Sequence, residues 1–211
     1  MAQAYNETYL YDAMRNLGEM TEYAHDACGV DPDLALKYFI ISGYADYFAA
    51  GNPRVVCGLS GTELFKEISK KCGADFDVWP EPLTKYTTEE YYWIGYILAY
   101  FQWHINKSFK AITEIIKPTD LIRMYPSLHT VSEEHAIEVI DDLYRKKSQF
   151  NRLQEYRKRM GMTQSQLASA SGVNLRTLQQ YEIGSKDLSK AAAESVVSLS
   201  EVLHCKPEDL I

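Results

Sequence analysis

Cysteine is sparse in this chain of 211 residues: only Cys28, Cys57, Cys72 and Cys205, with no CxxC spacing and no zinc pattern shared with histidine. That excludes a metal-stapled scaffold and reads as reduced, buried thiols of a cytoplasmic protein. Long apolar runs are missing as well. The stretch from Tyr91 to Trp103 is too short to span a bilayer and is interrupted by Gly95 and Gln102, so no membrane partner is expected. No basic N-terminal segment leads into an apolar run and a cleavage site, which argues against a secretory signal. Internal repeats and low-complexity tracts are absent too.

Signatures of catalysis are equally scarce. There is no HExxH, no P-loop and no GxSxG. His135 and Glu138 share a helix face, but a carboxylate-bridged metal pair would need Glu where Ser132 stands. His25, Asp26 and Cys28 read as an ordinary polar helix end. Arg123 and His129 are spaced like the R-x(4–6)-H signature of HEPN ribonucleases, though Pro126 between them suggests a loop. The expectation is a protein that is not an enzyme, with no catalytic residue, no metal and no cofactor.

What the chain does have is ample core material, 46% hydrophobic residues, and an uneven charge. The net charge is −7, which by itself disfavours contact with nucleic acid. Residues 1–150 hold 14 Lys/Arg against 22 Asp/Glu, whereas 151–211 hold 8 against 7. Between Arg145 and Gln180 eight basic residues stand against one acid, Glu155. A basic stripe on an acidic body is the footprint of a modular DNA binder.

The stripe brackets the most telling segment, MTQSQLASASGVNLRTLQQYEIG, Met162 to Gly184. Thr163 with Gln166 forms a reciprocal cap, and Leu167 and Ala168 supply the buried side of a short helix. Gly172 stops that helix, and Asn174 caps the next. The second helix turns Leu178 and Tyr181 inward and leaves Arg176, Thr177, Gln179 and Gln180 outside. Arg and Gln pair bidentately with guanine and adenine edges. Before the segment, Leu153, Tyr156 and Met160 recur at helical spacing; after it, Ser189 is placed to cap a helix over about 190–203 with Ala192, Ala193, Val196, Val197 and Leu203 as its apolar stripe. Pro207 opens a last turn.

These features, from Arg152 to Ile211, resemble the Xre/Cro/C1-type helix-turn-helix repressor family. The resemblance implies a buried ion pair between Arg157 and Glu182. It also implies that Gln164 and the first turn of the second helix face the duplex. Arg176 and Gln180 are then the choices for direct base readout, with Leu175 against a thymine methyl. Thr163, Asn174, Thr177 and Ser185 are placed to donate to phosphates. Family members bind double-stranded operator DNA as homodimers on inverted repeats, with half-sites roughly 34 Å apart.

The first part reads as mainly helical, giving an all-α chain: residues 1–148 a helical domain for partner binding or dimerisation, residues 149–211 the five-helix DNA-binding domain. Helices are expected over Glu7–Cys28, Pro32–Ala49, Gly61–Lys71, Thr88–Ile116 with a break, Pro118–Tyr125 and Val131–Lys147, and a short strand over Arg54–Leu59. Capping boxes at Ser60/Glu63 and Thr87/Glu90 mark two starts. Trp93, Tyr96, Ile97, Tyr100, Phe101 and His104 share one helix face and read as core. Tyr91, Tyr92 and Trp103 lie off that stripe and are the candidates for a partner surface. The whole reads as a DNA-binding repressor whose N-terminal domain binds a protein, such as the cognate toxin of a toxin–antitoxin pair. The alternatives are a small-molecule-responsive regulator with a ligand pocket in that domain, or a HEPN-like ribonuclease fused to a DNA-binding module.

Overall fold

The computed structural model describes residues 3–74, 76–83 and 89–211, leaving aside the side chains of 149–151. Among the described residues every regular element is helical, in keeping with the all-α class expected from the sequence. The chain divides into two compact units, Met1–Asp141 and Asp142–Ile211. The dividing point falls within one helix, a few residues before the boundary at 148/149 expected from the sequence. Among the described residues no helix is long and apolar enough to cross a membrane.

The first unit opens with a 3-10 turn, Glu7–Tyr9, capped by Asn6, and then α1 (Leu10–Glu22), which continues into a π-helical turn over Tyr23–Ala27. Next come α2 (Pro32–Ile41), α3 (Tyr44–Ala49), α4 (Gly61–Lys71) and α5 (Glu90–Ile105). The unit closes with α6 (Phe109–Ile115), α7 (Pro118–Leu128) and the start of α8 (Glu133–Arg159). Its organising contact is α1 against α5. Gly18 and Gly95 let the two backbones meet: a Cβ on Gly95 would lie 2.2 Å from the Leu17 carbonyl oxygen, and one on Gly18 2.9 Å from the Tyr92 ring. Thr21 Oγ1 donates across the gap to the Tyr91 carbonyl at 2.7 Å. Gly61 brings the start of α4 equally close, 2.4 Å from Met20 N for a hypothetical Cβ. Around this spine Leu17, Met20, Phe65, Ile94, Ile97 and Phe101 are buried, and Phe39, Phe48 and Phe109 meet edge to face.

Several expectations change in the structure. The helix anticipated over Pro32–Ala49 is two helices, because Gly43 takes φ 80° between them, a conformation that favours glycine. The strand anticipated at Arg54–Leu59 is a π-helical turn over Arg54–Gly58: Leu59 N donates to the Arg54 carbonyl five residues back, and the Asn52 side chain caps Arg54. Cys57 in that turn is exposed rather than buried, its thiol donating to the Pro53 carbonyl. Helix α7 runs through Pro126 to Leu128, so Arg123 and His129 stand within and at the end of a helix, not on a loop, and both are exposed. Thr87 of the second capping box lies outside the described residues; the box at Ser60 and Glu63 is formed.

Of the partner surface expected from Tyr91, Tyr92 and Trp103, Trp103 is buried and the two tyrosines are half-buried. Trp103 is 4% exposed and its Nε1 donates to the Tyr5 carbonyl at 2.8 Å. Tyr91 stacks on His25 with 3.5 Å between centroids, and Tyr92 covers Gly18 while stacking on Tyr96. His104, placed on the core stripe by periodicity, is exposed. Helix α5 is buried on several sides, so a single-stripe reading misplaces both edges.

The second unit takes the end of α8, then α9 (Gln164–Ser171), α10 (Leu175–Glu182), a 3-10 turn over Leu188–Lys190, α11 (Ala193–Val202) and a final 3-10 turn, Pro207–Asp209. Leu153, Leu167, Leu178, Leu188, Leu199 and Leu210 form its core. Helix α11 starts later than expected. Asp187, not Ser189, does the capping, and it caps the short turn that buries Leu188; Ala191 and Ala192 are extended. Ala192, Ala193 and Val197 are therefore exposed, and the buried stripe is Val196, Leu199 and Leu203.

Two predictions follow from the first unit. Alanine is a better helix former than glycine by about 1 kcal/mol, yet Gly95→Ala should lower stability by about 2 kcal/mol or more in denaturant unfolding, since neither backbone can yield. Glu22, buried at the end of α1, is raised to about 7, first by desolvation and then by Asp26, Glu19 and Glu89. Its protonated form suits the folded state, so stability should decline as pH rises from the ordinary carboxylate range through about 7. Thermal melts should show Glu22→Gln flattening that decline and exceeding the native chain in stability on the alkaline side.

Candidate nucleic-acid interface

Two helices and the turn between them build the site. Thr163 Oγ1 accepts from Gln166 N at 3.2 Å while Gln166 Oε1 accepts from Thr163 N at 2.8 Å, so α9 starts with both end groups satisfied. Gly172, at φ 70°, ends it in the left-handed region. Asn174 Oδ1 then accepts from Arg176 N and Thr177 N, which fixes the start of α10. Leu178 and Tyr181 are buried against Leu167 and Leu153. The opposite face of α10 is open: Arg176 and Gln179 are exposed, Thr177 and Gln180 half-buried, and Leu175 is 38% exposed.

The back of α10 is held by an ion pair. Arg157 from α8 donates from Nη2 to Glu182 Oε2 at 2.8 Å and from Nε to Oε1, with side-chain exposures of 9% and 0%. Its Nη1 donates to the Met162 carbonyl at 2.8 Å, so one guanidinium joins α8, the loop before α9 and the end of α10. Gln164 Nε2 gives Glu182 Oε2 a further hydrogen bond at 2.8 Å. Burial pushes the Glu182 carboxyl up, but the donors from Arg157 and Gln164 outweigh it and hold it below the usual carboxylate range.

The side chains singled out in the sequence fall into distinct situations. Arg176, Gln180 and Leu175 lie on the open face of α10. Asn174 caps through its oxygen, which leaves its amide N–H groups outside the cap. Thr163 spends its hydroxyl proton on Gln166 Oε1, which leaves it none for a phosphate while the cap is intact. Ser185 Oγ donates to the Gln180 carbonyl at 3.3 Å. Gln164 is tied to Glu182 and close to Gln179, which locks the facing ends of α9 and α10 together. The sequence reading passed over Lys186. Its backbone N–H bonds the Gln180 carbonyl, and its side chain is exposed beside the end of α10. A lysine just past Gly184 and Ser185 was the signal available for it.

Residues 153–210 match a protein-family model described as helix-turn-helix. Comparison with curated proteins and with solved structures gives no match. The second unit is thus a helix-turn-helix domain of the Xre/Cro/C1 type, the class that binds DNA, while the first unit lies outside the matched segment. Glu182→Ala should cost about 3–5 kcal/mol in chemical unfolding of this domain, because it strands a buried guanidinium. Glu182's contribution is present above the ordinary carboxylate range and is lost as pH falls through its depressed value.

Proposed function

We propose that the chain is a sequence-specific transcriptional repressor that acts as a homodimer on an inverted-repeat operator. The observation that carries this reading is the exposed face of α10, with Arg176 and Gln180 outward and the helix anchored from behind by Arg157 and Glu182. Arg176 reads a guanine edge, Gln180 an adenine edge, and Leu175 lies against a thymine methyl. Asn174, Thr177 and Lys186 contact phosphates in this reading, and Gln164, bonded to Glu182, braces α10 rather than reading a base. Repression then follows from occupancy of the operator. A lone domain of this size buries little DNA, which supports pairing of two copies across a two-fold site.

The first unit is proposed to regulate rather than to catalyse. Its acidity suits a basic protein partner such as a cognate toxin, although Trp103 is buried and leaves only the half-buried Tyr91 and Tyr92 of the expected surface. The better supported alternative is a small-molecule effector, because the first unit contains a cavity of about 290 Å³ beside the aromatic helix α5.

The test is a binding titration on duplexes selected from a random library. Arg176→Ala should weaken the selected site by about 1–3 kcal/mol and relax preference at one base pair per half-site. Lys186→Ala should weaken all sequences alike and shallow the salt dependence. Unchanged affinity for Arg176→Ala would overturn the assignment, and a monomer that binds with full affinity would overturn the dimer.

A further inference from the structure

The cavity beside α5 has a chemistry of its own. Trp93 and Tyr96, on one side of α5, supply its aromatic wall; Leu128 at the end of α7 is aliphatic; His129, Ser132 and Glu133 form the rim where the chain passes into α8. The hydrogen bonds around it settle which groups remain for a ligand. Tyr96 donates its hydroxyl to Glu133 Oε1 at 2.6 Å, which holds the carboxylate at the hydroxyl edge of that ring, and among the described residues Oε2 has no partner. His129 Nδ1 lies 2.7 Å from the Tyr125 carbonyl. A carbonyl only accepts, so Nδ1 carries a proton, and in the neutral imidazole Nε2 is then the acceptor. Ser132 Oγ accepts from His135 N at 3.3 Å and has a second lone pair free. The rim is therefore rich in acceptors, and the wall behind it is aromatic.

Charge points the same way. Glu89 and Glu90 lie near enough to Tyr125 to push its hydroxyl upward, after burial; Glu133 does so at Tyr96, and Glu134 and Glu133 at Tyr100. Among the described residues no cation counters them at any of these three tyrosines. A ligand that brings N–H donors and a positive charge would satisfy the acceptors, face the rings and be drawn by the carboxylates. An anion would meet repulsion from every charged group named, and a neutral compound would leave the carboxylate uncompensated.

We propose that this cavity is a binding site for a small primary organic ammonium ion, its charge between Glu133 and the faces of Trp93 and Tyr96 and its carbon chain against Leu128. This rests on the effector reading of the first unit and adds the ligand class. Glu133 and Ser132 also begin the helix whose other end carries Leu153 and Arg157 into the DNA-binding unit, which gives such a ligand a covalent connection to that unit.

The experiment uses the full chain without DNA, so it is independent of the operator assignment. The chain has three tryptophans, and their indole N–H signals report separately on Trp79, Trp93 and Trp103. Butylammonium chloride should shift the Trp93 signal saturably, whereas butanol should act at least about tenfold more weakly and butyrate not at all. Glu133→Gln keeps an acceptor for Tyr96 but removes the charge, and should weaken butylammonium at least about fivefold. Tyr96→Phe, which keeps the ring but releases Glu133, should also weaken it; thermal melts verify that both variants fold. Rising ionic strength should weaken binding to the native chain, a readout that needs no variant. No shift at Trp93, or equal response to butanol, would overturn the proposal. A neutral or anionic compound that binds there in preference to the ammonium would keep the effector reading but overturn the ligand class.

Discussion

The guanidinium of Arg157 is the contact on which the DNA-binding unit depends. It reaches Glu182 with two nitrogens and the Met162 carbonyl with the third, so three segments share one planar group. A lysine would offer a point charge and lose this geometry. Because both side chains of the pair are almost fully buried, their attraction must offset a desolvation cost, and the pair serves orientation more than stability. Glu182 ends α10, so fixing it fixes the azimuth of the helix, and with it which side chains face outward. Gln164 extends the same network to the start of α9.

The first unit solves a different problem. Its spine is thin where the helices cross. Gly18 and Gly95 let α1 and α5 touch at the backbone, and Thr21 satisfies the Tyr91 carbonyl at that point. The rings then pack outside this contact, in edge-to-face and stacked pairs, rather than between the helices. The two units also respond oppositely to acid. Glu22 favours its protonated form in one, and Glu182 its ionised form in the other.

The helix-turn-helix was legible in the sequence because its signals are local. Thr163 with Gln166, Gly172 and Asn174 each act within four residues, and Leu178 and Tyr181 mark the inner face by spacing alone. The start of α4 was legible for the same reason. What escaped depends on distant partners. Nothing near Trp103 reveals that its indole meets Tyr5, and nothing near Gly95 reveals Leu17. The π-helical turn at Arg54–Gly58 is closed by a bond five residues long, from Leu59 N to the Arg54 carbonyl, whereas Val55 and Val56 on their own suggested a strand. Pro126 misled in the other direction, since a helix already established by its first turns continues past it. On α10, exposure alone was readable; the internal commitments of Thr163 and Gln164 emerge only from the hydrogen bonds.

The central claim is that the open face of α10 is the surface that meets DNA. Amide and side-chain resonances followed while a selected duplex is added test it most directly. The account predicts that Leu175, Arg176, Gln179, Gln180 and Lys186 shift strongly and saturably, with the core positions Leu178 and Leu199 nearly still. Perturbations confined to residues before Asp142, or an α10 that does not respond to a duplex the chain retains, would contradict it.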